Sequence, residues 1–233
     1  MLEVRNLNVF YGKLQIIWNL SMQIGNESVG LFGPNGAGKT TLINTILGLI
    51  RPASGDVLLD GESIVRMETD KIIKHGIMIV PQERELFPMM TVLENLRTGC
   101  AYIPRAKKKY QERLEYVFAM FPILKERLDQ PAGSMSGGQQ RMVAIARALM
   151  GDPKVLILDE PSGGLQPSIV TEVFHRLKEI KKDVSILVTE QNVRQALKAI
   201  DRGYILEDGR IALTDTACNL AGNDHIRKSY LGI

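Results

Sequence analysis

The run GPNGAGKT, Gly33 to Thr40, constrains this chain more than any other stretch. It follows the strand-like VGLF and opens the helical period that begins at Thr40, so a G-x-x-x-x-G-K-[ST] loop lies between a strand and a helix N-terminus. Glycines permit the turn, backbone N–H groups of Asn35 to Thr41 point into it, and the helix N-terminus favours negative charge. The pattern assigns Gly33, Pro34, Asn35, Gly36, Ala37, Gly38, Lys39, Thr40 and Thr41 to phosphate binding. Lys39 then reaches the β and γ phosphates of a nucleotide, and the Thr40 hydroxyl binds Mg²⁺.

VLILDEPS supplies the complement, four apolar residues feeding Asp159 and Glu160. A carboxylate at the end of a buried strand is costly unless a cation compensates it, which assigns Asp159 to the same Mg²⁺. Glu160 falls where a water attacks the γ-phosphate, and a carboxylate there orients the water and accepts its proton.

The rest of the chain reads as α/β. Strand-like runs are LEVRNLNVF, SVGLFG, GDVLLDG, IMIVPQ, VLILDEPS, SILVTEQ and GYILEDGRIAL, with helical spacing over Lys39 to Leu49 and Ile169 to Lys181. LILDE and SILVT are almost continuously apolar, as strands covered on both faces of a parallel sheet are. Functional groups at their carboxyl ends gather along one edge. From about Phe87 to Met150 helical periods take over, broken at Pro104, Pro122 and Pro131. The division expected is one domain, with 1–86 and 151–233 as the nucleotide-binding core and 87–150 as an inserted helical subdomain.

Composition narrows the class. The 233 residues are 45% apolar, enough for a real core. No apolar run approaches the roughly 20 residues of a membrane-spanning helix, and MLEVRNLNVF lacks the basic head and apolar body of a secretory signal, so the expected compartment is the cytoplasm. Cys100 and Cys218 lie far apart without a C-x-x-C partner and read as incidental thiols. A net charge of +3 does not suggest a nucleic-acid surface. Arg105 with Lys107 to Lys109 reads as a solvated face, against the alternative of a contact with phosphate or lipid headgroups.

A second glycine-rich helix start, SMSGGQQRMVAIAR, needs its own account. Ser136 caps the helix from about Gly138 to Met150, and Gly137 and Gly138 keep side chains away from anything docking at its N-terminus. The succession of phosphate loop, VPQ, SGGQQ and LDEPS resembles the ATP-binding subunit of an ATP-binding-cassette (ABC) transporter over essentially the whole chain. That resemblance implies a P-loop NTPase core of mainly parallel sheet and helices, an N-terminal antiparallel β subdomain, and the inserted helical subdomain. It implies ATP as the nucleotide and a head-to-tail pair of such subunits, so that Ser136, Gly137, Gly138 and Gln139 serve an ATP held by the partner's loop. By the same resemblance Tyr11 stacks on adenine, against the alternative of a packed strand tyrosine. Gln82 reaches Mg²⁺ or the attacking water from a loop that faces membrane subunits, and Gln191 stands at the switch position that contacts the γ-phosphate.

Three residues depart from the family pattern, and the one at 191 narrows the subfamily. Met135 replaces a leucine, Gln166 an aspartate in a loop at the dimer interface, and Gln191 the switch histidine. Glutamine donates hydrogen bonds but has no cationic form. Neighbouring Glu190 is no substitute, since successive strand residues point to opposite faces. EQN, QAL, IDRGYILEDGR and the ending YLGI are similar to the LivF-type subunit of branched-chain amino acid importers, although Gln82-Glu83 differs from the PEGR associated with that type. Implied partners are a second ABC ATPase, identical or not, permease subunits at the cytoplasmic face of the membrane and, indirectly, a solute-binding protein. Urea and amide importers share much of this pattern, and a nucleotide-gated interaction module outside transport is the other alternative. A GTPase reading lacks the N-K-x-D motif, and a kinase reading leaves SGGQQ without a purpose.

Overall fold

The computed structural model describes residues 1–83, 85–191 and 193–227, without the side chain of His225. Asn192 of EQN and Tyr230 to Ile233 of the terminal YLGI lie outside the described residues. Ten strands are described: β1 (Leu2–Tyr11), β2 (Leu14–Ile24), β3 (Ser28–Phe32), β4 (Ser54–Leu59), β5 (Glu62–Ser63), β6 (Ile77–Val80), β7 (Val155–Asp159), β8 (Ser185–Glu190), β9 (Arg202–Glu207) and β10 (Arg210–Thr216). They form two sheets, an antiparallel one in the order β2-β1-β4-β5 and a six-stranded one in the order β10-β9-β3-β8-β7-β6. The larger is parallel except for β10 against β9.

Alternate residues of the central strands enter different cores. Val155 and Ile157 of β7 and Leu187 of β8 join the cluster shared with the antiparallel sheet. Leu156, Leu158, Ile186 and Val188 join the cluster packed under helices. Both faces are therefore covered, which is why these strands read as unbroken apolar runs.

The helices are α1 (Lys39–Ile46), α2 (Thr69–His75), α3 (Val92–Thr98), α4 (Pro104–Lys108), α5 (Tyr110–Met120), α6 (Pro122–Lys125), α7 (Gly137–Met150), α8 (Pro167–Ile180), α9 (Val193–Ala196), α10 (Ala217–Gly222) and α11 (Asp224–Ile226). No helix among the described residues is long and apolar enough to cross a membrane. Five of them, α3 to α7, lie between residues 87 and 150, and α7 packs on both α3 and β6.

β2 and β5 lie outside every strand-like run of the sequence, and β9 and β10 share one. The strand-like runs include nothing for 14–24, yet β2 occupies it. Buried Ile17 is followed by buried Leu20, Met22 and Ile24, because Asn19, with φ of 45°, inserts an irregularity that breaks the two-residue period. GYILEDGRIAL is not one strand but the hairpin of β9 and β10. Asp208 and Gly209, with φ of 46° and 73°, make the reversal that Asp-Gly favours.

Candidate functional site

β3 is buried at every residue and delivers Gly33 to the base of the phosphate loop. Gly38 is the N-cap of α1 with φ of 110°, and a Cβ there would lie 2.7 Å from Ile17 Cδ1. Glycine alone meets both conditions without strain. No side chain caps α1 and no acidic residue occupies its first turn, which leaves the positive end of the helix to an anion. Lys39 is only 6% exposed, and its ammonium donates to Gly33 O at 2.8 Å and Pro34 O at 3.2 Å. Burial pushes its pKa down, while the charges of Glu160, Asp159 and Glu190 pull it back up.

Glu160 is the hub of the site. It follows β7 with φ of 44°, a conformation uncommon for a residue with a Cβ, and its N–H is held by Thr189 O at 3.0 Å. Gln82 Nε2 donates to Glu160 Oε2 at 3.1 Å, and Gln191 Nε2 donates to Glu160 Oε1 at 3.0 Å. Lys39 Nζ stands 3.8 Å from Glu160 Oε1, and Gln191 also donates to Asn35 Oδ1 of the loop. Residues that follow β3, β6 and β8 thus meet at the one carboxylate that follows β7.

They line a cleft of about 450 Å³ with Ile16, Pro34, Gly36, Gly38, Thr40 and Thr41. Asp159 does not line it. It lies half-buried behind, accepting from Thr189 Oγ1 at 2.5 Å. Burial pushes its pKa up and Glu160 adds to this, while Thr189, Lys39 and Arg141 hold it down. Glu190 is buried and turned away from the cleft residues, accepting from Ser162 N and Ser162 Oγ, each at 2.8 Å.

The second helix start is elsewhere. Ser136 is the N-cap of α7, its Oγ accepting from Gln139 N at 3.4 Å while Gln139 Oε1 accepts from Ser136 N at 3.1 Å. Gln139 thus completes a capping box. None of Ser136 to Gln139 lines the cleft at Lys39, nor does Tyr11, which ends β1 half exposed. Gly138 departs from the sequence reading. It is buried, and a Cβ there would lie 2.5 Å from Ile169 Cγ2, so packing against α8 requires this glycine whatever docks outside.

The ABC transporter family profile matches residues 18–163, which hold the phosphate loop, Gln82, the α7 start and Glu160. This chain belongs to that family. The ABC ATPase is 43% identical over 234 residues, all of both chains, to the high-affinity branched-chain amino acid transport ATP-binding protein BraG of Pseudomonas aeruginosa. It is 35% identical to the probable branched-chain amino acid transport ATP-binding protein LivF of Archaeoglobus fulgidus, over all of this chain and 99% of the relative. Its fold matches an ATP-binding cassette in its ADP conformation with a TM-score of 0.85 and 28% identity, over 100% and 99% of the chains. A dimeric cassette in a post-hydrolysis state, bound to ADP and Pi, matches with a TM-score of 0.80 and 26% identity, over 93% of this chain and 99% of the other. The chain is therefore an ATP-binding subunit of LivF type, an ATPase coupled to transport.

In this ABC ATPase two site residues escape the sequence motifs. Thr189 bridges Asp159 and the Glu160 N–H, and its only signal is a polar residue near the end of the apolar run SILVT. Ile16 reaches the cleft from β2, the strand that the broken period conceals. Gln166 is the N-cap of α8 and makes no side-chain cap bond.

Proposed function

We propose that this chain is the motor subunit of an importer for branched-chain or other hydrophobic amino acids, peripheral to the cytoplasmic face of the membrane through permease subunits. Within it, 1–86 and 151–233 form the nucleotide-binding core and 87–150 the signature subdomain. Two subunits, identical or paired with a similar second ATPase, enclose two ATP molecules and reset on hydrolysis. The convergence of Gln82, Gln191 and Lys39 on Glu160, above an uncapped α1, carries the nucleotide reading. The cargo rests on the names of the relatives, BraG and LivF.

Phosphate oxygens of ATP take the α1 N–H groups and the Lys39 ammonium, which exchanges its bonds to Gly33 O and Pro34 O for the β and γ phosphates. Thr40 and Gln82 line one cleft, Asp159 stands behind it, and no group of three or more His, Cys, Asp or Glu among the described residues forms a closed metal cage. This sparse oxygen donor set fits Mg²⁺, which takes one or two carboxylates together with phosphates and waters. When bound, Mg²⁺ neutralises charge on the β and γ phosphates.

Glu160 accepts one amide donor on each carboxylate oxygen, so capacity remains for the O–H of a water. As the water oxygen bonds to the γ-phosphorus, its proton passes to Glu160 and the bridging oxygen leaves with ADP. Gln191 holds the carboxylate against the loop through Asn35 without carrying charge. Tyr11 stacks on the adenine, and Ser136 to Gln139 meet the γ-phosphate of the ATP bound by the partner subunit.

The test is the mass of Glu160→Gln by light scattering during size exclusion, with and without Mg-ATP, alongside nucleotide affinity. A monomer that becomes a dimer on ATP supports enclosure by identical chains. A persistent monomer with ATP bound assigns the α7 start to a different subunit, and failure to bind ATP refutes the site. For the cargo, a deletion strain that keeps full leucine, isoleucine and valine uptake refutes the amino-acid reading.

A further inference from the structure

Arg141, in the second turn of α7, is 1% exposed and reaches out of its own subdomain. Its Nη1 donates to Pro81 O at 2.9 Å and its Nη2 to Gln82 O at 2.7 Å. A planar guanidinium spans two successive carbonyls with fixed geometry, which an ammonium cannot do. Those carbonyls begin the segment that leaves β6 and carries Gln82. The same helix holds that segment again further on, with Arg147 Nη1 donating to Glu85 O at 2.8 Å and the Arg147 guanidinium 5.9 Å from the Phe87 ring.

We propose that Arg141 is a positioning residue, which fixes the Gln82 backbone to α7 and thereby aims the Gln82 amide at Glu160. Gln82 and its neighbours Glu83 and Glu85 are exposed and belong to no strand or helix, so apolar packing does not set their place. The amide nevertheless arrives 3.1 Å from Glu160 Oε2. The chain of contacts runs from the Ser136 cap at the start of α7, through Arg141, to the Gln82 carbonyl, the Gln82 amide and the Glu160 carboxylate. A displacement of α7 therefore moves the group that orients Glu160 in its own site. The inference rests on the proposed nucleotide site and adds how the helix start meant for the partner's ATP informs the site on its own chain.

The test is a double-mutant cycle in Mg-ATP hydrolysis, with kcat and KM measured for wild type, Arg141→Met, Gln82→Ala and the double variant. Gln82→Ala keeps the backbone carbonyl and so keeps the Arg141 bonds while removing the amide. Arg141→Met is expected to lower kcat about tenfold with KM within about twofold, yet to cost less than about twofold once Gln82 is Ala. Arg141→Lys, which reaches one carbonyl, is expected to fall between, at about threefold. The same loss in both backgrounds, or a loss carried by KM, overturns the proposal, because a merely structural arginine acts independently of the Gln82 side chain. If Arg141→Met melts below the assay temperature, the cycle is run with Arg141→Lys, with the threefold loss expected to vanish in Gln82→Ala. Failure of the wild-type chain to bind ATP refutes the nucleotide site and this inference together. Additivity with ATP binding intact refutes the inference alone.

Discussion

Replacing Thr189 with Val removes a single hydroxyl from beneath Asp159 at a fully buried position. That hydroxyl donates to Asp159 Oδ1 at 2.5 Å, whereas the Glu160 N–H that reaches it at 3.2 Å retains Thr189 O as acceptor at 3.0 Å. The net loss is one charge-assisted hydrogen bond, about 1.5–3 kcal/mol near neutral pH. For a chain of this size that lowers Tm by about 3–12 °C. The pH dependence has a definite sign. Burial, with Glu160 adding, already holds the Asp159 pKa above its ordinary value, and Thr189 is one of the groups pulling it back. A carboxyl whose folded pKa is raised favours folding most below the ordinary carboxylate range and loses that contribution as pH rises through the folded value. Thr189→Val raises the folded value further. Its deficit is therefore largest at neutral and alkaline pH and shrinks on acidification toward the carboxylate range. Thermal unfolding of both proteins in a series of buffers from about pH 8 to about pH 5 measures this. A deficit under about 0.5 kcal/mol near neutrality, or one that grows on acidification, refutes the reasoning.

Other perturbations test separate parts of the site. Lys39→Ala removes the ammonium seated on the loop carbonyls and is expected to abolish tight ATP binding, so a retained micromolar or better affinity by titration calorimetry counts against the phosphate assignment. Glu160→Gln is expected to bind ATP and hydrolyse it about 10²–10⁴-fold more slowly, and an unchanged steady-state rate removes Glu160 from the base role. Gly138→Ala drives a Cβ to 2.5 Å from Ile169 Cγ2 and is expected to cost about 1–3 kcal/mol in denaturant unfolding, with partial rescue by Ile169→Val. Wild-type stability in Gly138→Ala shows instead that α7 and α8 part easily.

Much of the site was legible because its residues sit where local rules are strict. A loop that turns through Gly38 at φ of 110°, and an acidic pair that ends an apolar strand, leave few alternatives. Ser136 was recognisable as a cap for the same reason. Thr189 was not, because nothing in SILVTEQ separates a threonine that supports a carboxylate from one that fills a strand. Gly138 was readable as a requirement for glycine but not for its cause, since the atom that forbids a side chain belongs to Ile169, 31 positions along the chain.

By itself the sequence determined the phosphate loop, the acidic end of β7 and the Ser136 cap, since each depends on backbone conformation and burial within a few residues, and the order of its motifs determined the family. Only the tertiary structure decided that Gln82, Gln191 and Lys39 meet on Glu160, that Asp159 stands behind the cleft on Thr189, and that Arg141 grips the Gln82 backbone. The contacts at Glu160 and Asp159 join separate strand ends through the sheet order β3-β8-β7-β6, and the Arg141 contact joins α7 to the segment after β6; a chain's local pattern carries no record of which of these become neighbours.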